Sequence, residues 1–240
     1  MVSIIIPCYN PRWISDCVTS CQEQSHKDIE IIVVNDIGSP GSSASTMISR
    51  LGVIAIENKE NMGVSFSRNA GIKASKGDYI LPLDADDMLA PESISCRLKE
   101  FEKDPDLQVV YGPMLKIHGD ISYGEALGSK CDIHPSKYTV PMYRRDVFEK
   151  FGLFHEPLRS KEDKEMSYRL GVHKKSPIKK GVKFKRVEEP VYYYRRHDDA
   201  KRKSRIVDVY FDVRTCMEFD KRIMELRKNG ITKQNTEFLI

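Results

Sequence analysis

The sequence predicts an α/β fold built on a mostly parallel central sheet flanked by helices. Three observations lead there. The apolar runs at 2–6, 29–34, 53–56 and 79–83 are short and nearly continuous, as strands covered on both faces are. Segments of helical periodicity separate them, the alternation that produces parallel strands joined by crossover helices. Each run also empties into polar residues: Tyr9 and Asn10, Asn35 and Asp36, Glu57 and Asn58, then Asp84, Asp86 and Asp87. Ligands of open parallel sheets bind outside the carboxyl ends of the strands, so four polar clusters converge on one edge.

Taken in order, Val2 to Ile6 is a β-branched strand closed by Pro7, and Trp13, Ile14, Cys17, Val18 and Cys21 form an apolar helical stripe behind it. Ile29 to Val34 repeats the strand and stops at Asn35 and Asp36, before a turn-rich stretch from Gly38 to Ser43. Thr46 to Leu51 reads as a short helix and Val53 to Ile56 as a third strand. After Gly63, Phe66, Ala70 and Ala74 share one helical face, leading through Gly77 to the strand Tyr79 to Leu83. Pro91 opens a helix with Ile94, Leu98 and Phe101 on one side, and Leu107 to Tyr111 gives another strand. Beyond it the rhythm breaks, and 112–160 reads as strands, loops and one short helix near Asp146 to Phe151. Lys161 to Gly171 reads as a helix with Glu162 and Asp163 in its first turn, where the dipole favours carboxylates. Val182 to Val187 alternates as a half-exposed strand, and Pro190 to Tyr194 is an aromatic run ending in Arg195, Arg196 and His197. From Ser204, the near-heptad spacing of Ile206, Val209, Val213, Cys216, Ile223 and Leu226 predicts a long amphipathic helix, interrupted by Asp220. Its expected contacts are the domain itself, a second copy forming a homodimer, or a membrane touched peripherally through the basic approach.

The 240 residues suffice for one large domain with an extension, and 31% charged against 40% hydrophobic residues excludes a disordered chain. No apolar stretch reaches membrane-spanning length, and Met1 to Pro7 lacks the basic start and longer apolar core of a secretion signal. The expected location is therefore cytoplasmic, with the cytoplasmic membrane face as a second place reached through the C-terminal helix. Six cysteines without paired short spacing are expected as free thiols, Cys17 and Cys21 in the core beside Trp13 rather than on a metal. The net charge of +4 gathers in the last third, from Lys174 to Arg205. Such a run serves an anionic substrate, an acidic membrane or nucleic acid, or is simply a solvated face.

The acidic tip is the sharpest chemical signal. A buried strand delivers three like charges to one point only where something compensates them, most simply a divalent cation shared with an anionic ligand; an Asp-rich turn is the plain alternative. Neither G-x-G-x-x-G nor G-x-x-x-x-G-K-[ST] follows the first strand, so no glycine-rich phosphate cradle is on offer and a metal has to do more of the anion binding.

Four pieces stand in order: S-I-I-I-P-C-Y-N, I-I-V-V-N-D, N-M-G-V-S-F-S-R-N-A-G-I before L-D-A-D-D, and K-E-D-K-E-M-S-Y-R-L. With P-M-Y-R-R-D-V-F-E-K-F-G-L-F and Y-Y-Y-R-R-H they make residues 1–200 resemble family 2 of the inverting nucleotide-sugar glycosyltransferases, which have the Rossmann-like GT-A fold. The resemblance implies a glycosyltransferase domain at 1–203, its nucleotide-sugar-binding half at 1–111 and acceptor-binding half at 112–203, with a helical extension at 204–240. Position by position, it implies that Pro7 and Tyr9 stack on the nucleobase and that Asp36 accepts a hydrogen bond from it, typically uracil, Asn35 replacing the first acid of the usual pair. Asn61, Gly63 and Arg68 match the segment along the nucleotide and its phosphates. Asp84 and Asp86 match the D-x-D motif, with Asp86 the direct ligand of Mn2+ or Mg2+ and Asp87 a metal or donor contact. Glu162 and Asp163 match the acidic pair whose second member is the catalytic base, and His197 a histidine closing over the diphosphate or metal.

The implied partners are a nucleoside diphosphate sugar donor and a carbohydrate or lipid-linked sugar acceptor, whose choice falls to the segment 116–140 with His118, Tyr123, His134 and Tyr138. A nucleotidyltransferase and a non-catalytic sugar-nucleotide or nucleic-acid binding module are the alternatives. The first normally carries a glycine- and lysine-rich loop that P-C-Y-N-P-R-W lacks. No nucleic acid is expected, because the N-terminal half is not basic and Tyr192 to Tyr194 read as strand core.

Overall fold

The computed structural model describes residues 1–9, 11–36, 43–131, 133–134, 140–158, 161–172, 176 and 181–196. Asn10, Tyr138, His197 and the expected helix at 204–240 lie outside them. The described strands are Val2–Cys8 (β1), Ile29–Asn35 (β2), Ile54–Glu57 (β3), Tyr79–Pro82 (β4), Met88–Leu89 (β5), Val109–Tyr111 (β6), Met114–His118 (β7), Ile133–His134 (β8), Met142–Arg144 (β9), Phe184–Arg186 (β10) and Tyr192–Arg196 (β11). The helices are Ile14–Gln22 (α1), Ser43–Ser49 (α2), Val64–Ala74 (α3), Ser93–Lys103 (α4), Tyr123–Gly128 (α5), Asp146–Phe151 (α6) and Glu162–Arg169 (α7). None is long and apolar enough to cross a membrane.

Seven strands form the central sheet in the order β10-β6-β9-β4-β1-β2-β3. Around β1 all pairing is parallel, with Val2 opposite both Ile29 and Tyr79, so the first four strands end on the same edge. The sheet is mixed beyond that point: β9 enters antiparallel between β4 and β6. The reading of 112–160 as strands, loops and one short helix assigned no strand to that place. Four short strands, β5-β11-β7-β8, make a second sheet.

Continuous apolar strands are needed because both faces are covered. Ile4, Ile6, Val33 and Leu81 pack with Cys17, Val18 and Cys21 of α1 and Ile94 and Phe101 of α4. Ile5, Ile32, Val34 and Ile80 point the other way, to Ile72 of α3, Val147 and Phe148 of α6, Met166 of α7 and Leu170 just after it. A smaller cluster of Met88, Ile117 and Tyr193 with Tyr123 and Ala126 of α5 fills the second sheet. Cys8, Cys17 and Cys21 are buried free thiols, and burial pushes the Cys8 thiol up to about 12.

Helix α3 is the element that positions the site. It starts at Gly63, whose φ of +89° suits a residue without Cβ, and it lies close on the sheet at Gly71. Ser65 Oγ donates to the Leu158 carbonyl at 2.7 Å. Asn69 exchanges two hydrogen bonds with the backbone of Phe154, at 2.8 and 2.9 Å. The loop before α7 is thereby tied to α3. Arg169 donates to the carbonyls of Phe151, Gly152 and Leu153 and pairs with buried Glu165, so the end of α6 is tied to α7.

A Cβ at Gly71 would fall well inside contact distance of Ile5 Cγ2 and 3.3 Å from Val34 Cγ2. Alanine gains up to about 1 kcal/mol in helix propensity, whereas overpacking a buried strand costs about 1–3 kcal/mol. Gly71→Ala is therefore expected to lower stability by about 1–2 kcal/mol, read as a shift in urea midpoint; an unchanged or raised midpoint would show that α3 has room to lift.

Candidate active site

The chain leaves β4 at Pro82, and Leu83 N still donates to Ile5 O at 2.9 Å. The next turn presents Asp84 exposed, Asp86 half-exposed and Asp87 buried, with a ligand oxygen of each within 4.8 Å of the others. Their backbone is held from three sides. Asp87 N donates to Asp84 O at 3.1 Å, Cys17 Sγ to Asp84 O at 3.6 Å and Arg195 Nε to Asp86 O at 3.0 Å. Arg195 is buried; its Nη1 reaches the carbonyls of Gly119 and Ile121, both at 2.8 Å, and its guanidinium lies 5.5 Å from the centre of the Trp13 ring. Its backbone amide donates to Asp87 Oδ1 at 2.9 Å. Burial, then Asp86 and Asp84, push the Asp87 carboxyl well above the usual range, opposed by that amide and the Arg195 charge.

Arg68, on the inner face of α3, joins this tip to the start of α7. Its Nη2 donates to Asp84 Oδ1 at 2.6 Å and its Nη1 to Glu162 Oε1, beneath the Phe154 ring 5.3 Å away. The residue is only 6% exposed. Burial would lower its pKa, but Asp84, Glu162 and Asp163 outweigh burial and raise it, so it stays a cation. Glu162 is pushed up by burial, with Asp163 and Asp84 adding to it and Arg68 drawing it back. The guanidinium that the sequence directs at phosphates is here shared between two carboxylates. Asp163 stands exposed beside the pair, its Oδ1 accepting from Lys164 N at 2.7 Å. Lys161 enters α7 with φ +63°, a conformation few side chains adopt, which sets the aim of the acidic pair.

The exits of β1 and β2 follow along the same edge of the sheet. Pro7 is half-buried and Tyr9 is 56% exposed. Asp36 is buried: Oδ1 accepts from Asn58 Nδ2 and Met62 N, and Oδ2 from Gly63 N, all at 2.8 Å. A carboxylate has about four acceptor positions, so three of them hold the 58–63 loop, with Asn61 exposed on it. Asn58 also donates to Ser67 Oγ at 3.0 Å, tying the loop to α3.

Two residues here carried no individual signal in the sequence. Asn58 was one polar residue among several at a strand exit, and Arg195 one of many cations in the last third. Only its burial in the structure shows that Arg195 points inward.

A family model described as Glycosyl transferase family 2 matches residues 3–158. The chain belongs to glycosyl transferase family 2. An uncharacterized glycosyltransferase of Bacillus subtilis, EpsJ, is 29% identical over 222 residues, 83% of this chain and 62% of that protein. Chondroitin synthase of Pasteurella multocida is 36% identical over 124 residues, 50% of this chain and 13% of that enzyme. This family 2 chain thus spans less than two thirds of the length of either relative. Among solved structures, S. aureus TarS 1–349 in complex with UDP-GlcNAc matches with a TM-score of 0.65 at 17% identity, over 82% of this chain and 59% of that one. The mannosyltransferase PcManGT from Pyrobaculum calidifontis, in complex with GDP-Man and Mn2+, gives 0.57 at 17%, over 80% and 56%. The family 2 chain shares the GT-A fold of these proteins. The matched span contains Asp36, Arg68 and the acidic tip and stops short of Glu162, which Arg68 joins to it.

A carboxyl whose native pKa lies above its unfolded value of about 3.9 gives stability that is complete at lower pH and lost as pH rises. In buffer stripped of divalent cations, the urea midpoint of the wild type is therefore expected to fall between pH 4 and 7 relative to Asp87→Asn, which keeps an acceptor for the Arg195 amide without the charge. Parallel midpoints across that range would show that Asp87 is ionised at no cost.

Proposed function

We propose that the chain moves a sugar from a nucleoside diphosphate sugar, UDP-linked, to a hydroxyl of a carbohydrate or lipid-linked acceptor, in one metal-dependent displacement that inverts the anomeric centre. The observation that carries this reading is the Arg68 bridge: one guanidinium joins Asp84 at the acidic tip to Glu162, the neighbour of Asp163. So short a link supports a site in which the donor phosphates and the attacking hydroxyl lie on opposite sides of one sugar. The complexes of TarS with UDP-GlcNAc and of PcManGT with GDP-Man support a nucleotide-sugar donor on this fold.

The residues present fit a hard divalent cation. The donor set is three carboxylates with mutually close oxygens, one of them buried among like charges, and all-oxygen sites suit Mg2+ or Mn2+. Asp86 and Asp87 would hold it, with His197 as a further ligand or diphosphate contact. When bound, the cation supplies positive charge where the departing pyrophosphate gathers negative charge.

The chain's own groups do the remainder. Tyr9 offers an exposed ring for the base, with Pro7 behind it, and Asp36 with the loop of Asn61 and Gly63 lines the nucleoside. Arg68 and Glu162 are positioning residues that fix the tip relative to α7. Asp163 takes the proton of the acceptor hydroxyl as it attacks, a general-base contribution of about 10²- to 10⁴-fold in rate.

Asp163→Asn is expected to lower kcat by about 10²- to 10⁴-fold while UDP binding, followed by calorimetry in Mn2+, stays as in the wild type; impaired UDP binding would remove Asp163 from the base role. Chelation with EDTA is expected to stop transfer and to abolish thermal stabilisation by UDP, which is set by site occupancy, and added Mn2+ or Mg2+ should restore both. Full turnover in EDTA would rule out the cation at Asp86.

A further inference from the structure

The second sheet carries a charged face that the donor site leaves unused. Successive residues of a strand alternate between faces. On β11, Tyr192, Tyr194 and Arg196 share one face and Tyr193 and Arg195 the other. The parallel register with β7 sets Lys116 beside Tyr194 and His118 beside Arg196, and the β7-β8 register sets His134 beside Met114 on that same face. Its inner end is apolar and joins the main core through Leu89, Met114 and Tyr192. Its outer end holds Lys116, His118 and Arg196, of which only Lys116 is partly covered, and exposed His134 stands on β8 beside Met114.

None of these four forms an ion pair with a carboxylate among the described residues, whereas Lys103, Lys150 and Lys183 each do. Asp87, Asp86 and Asp84 raise the Tyr194 phenol, after burial, and Arg196 lowers it. The face therefore looks onto the acidic tip at Tyr194 and becomes cationic away from it. With β-strands spaced by about 4.8 Å, β7 lies about 10 Å across the sheet from β5, the strand leaving Asp87. That displacement carries the cationic end of the face two strands away from the acidic tip.

We propose that this face receives the acceptor, and that the acceptor carries a negative group, a carboxylate or a phosphate, held by Lys116 and Arg196 with His118 and His134 beside them. The inference rests on the glycosyl-transfer reading above, whose acceptor it specifies.

The test is an NMR shift titration of the full chain with glucuronate, sn-glycerol 3-phosphate and neutral methyl glucoside, alongside calorimetry of UDP with Mn2+. Glucuronate, glycerol phosphate or both are expected to bind, more weakly as salt is raised, and methyl glucoside not to; the two anions distinguish a carboxylate-bearing from a phosphate-bearing acceptor. The double variant Lys116→Gln, Arg196→Gln removes two exposed charges and is expected to weaken the anion about tenfold, with UDP affinity unchanged. Equal anion binding by variant and wild type, no preference over methyl glucoside, or a parallel loss of UDP affinity would each overturn the assignment, the last by giving the face to the donor phosphates. Failure of the wild type to bind UDP, read in the same experiment, would sink the donor reading itself.

Discussion

Everything at the acidic edge of the sheet depends on how one guanidinium compensates several carboxylates. Asp84, Glu162 and Asp163 crowd around a side chain that is itself almost wholly buried. Removing Arg68 would leave Glu162 a buried charge without its cation, at a cost of about 3–5 kcal/mol. Arg68 therefore does more than attract: it makes the burial of Glu162 tolerable and fixes where the first turn of α7 sits. Because α3 also grips Phe154 and Leu158, the two halves of the chain are registered against each other by one helix. The mixed sheet reinforces this, since β9 and β10 from the second half complete a sheet begun by the first.

The legible parts of the fold were those with long local patterns. β1, β2 and β4 announced themselves as apolar runs, and the acidic tip as three aspartates at a strand exit. Of the second sheet only Tyr192 to Tyr194 was legible, as strand core; its other strands, of two to five residues, are too short for periodicity to separate from loop. β9 was missed for the same reason: Met142 to Arg144 is three residues, and its place between β4 and β6 is decided by tertiary contact alone.

The candidate site divides in the same way. Residue types at strand ends were readable from the sequence, but their partners were not. Arg68 and Glu162 are 94 residues apart, and no spacing rule links them. Asp36 reads as a nucleobase acceptor, yet most of its hydrogen-bonding capacity is turned inward. Arg195 was hidden in a run of cations although its amide and Nε both bond the acidic tip, a distinction that only burial makes.

The inward bonds of Asp36 carry a kinetic and entropic meaning. A loop that waits for its ligand before folding must surrender backbone freedom at the moment of encounter, at roughly 1–2 kcal/mol per residue. Here three hydrogen bonds have already frozen the segment from Asn58 to Gly63, so that ordering was completed when the polypeptide first folded. Whatever docks against Tyr9 meets a finished rim, and its affinity is spared the penalty of building one.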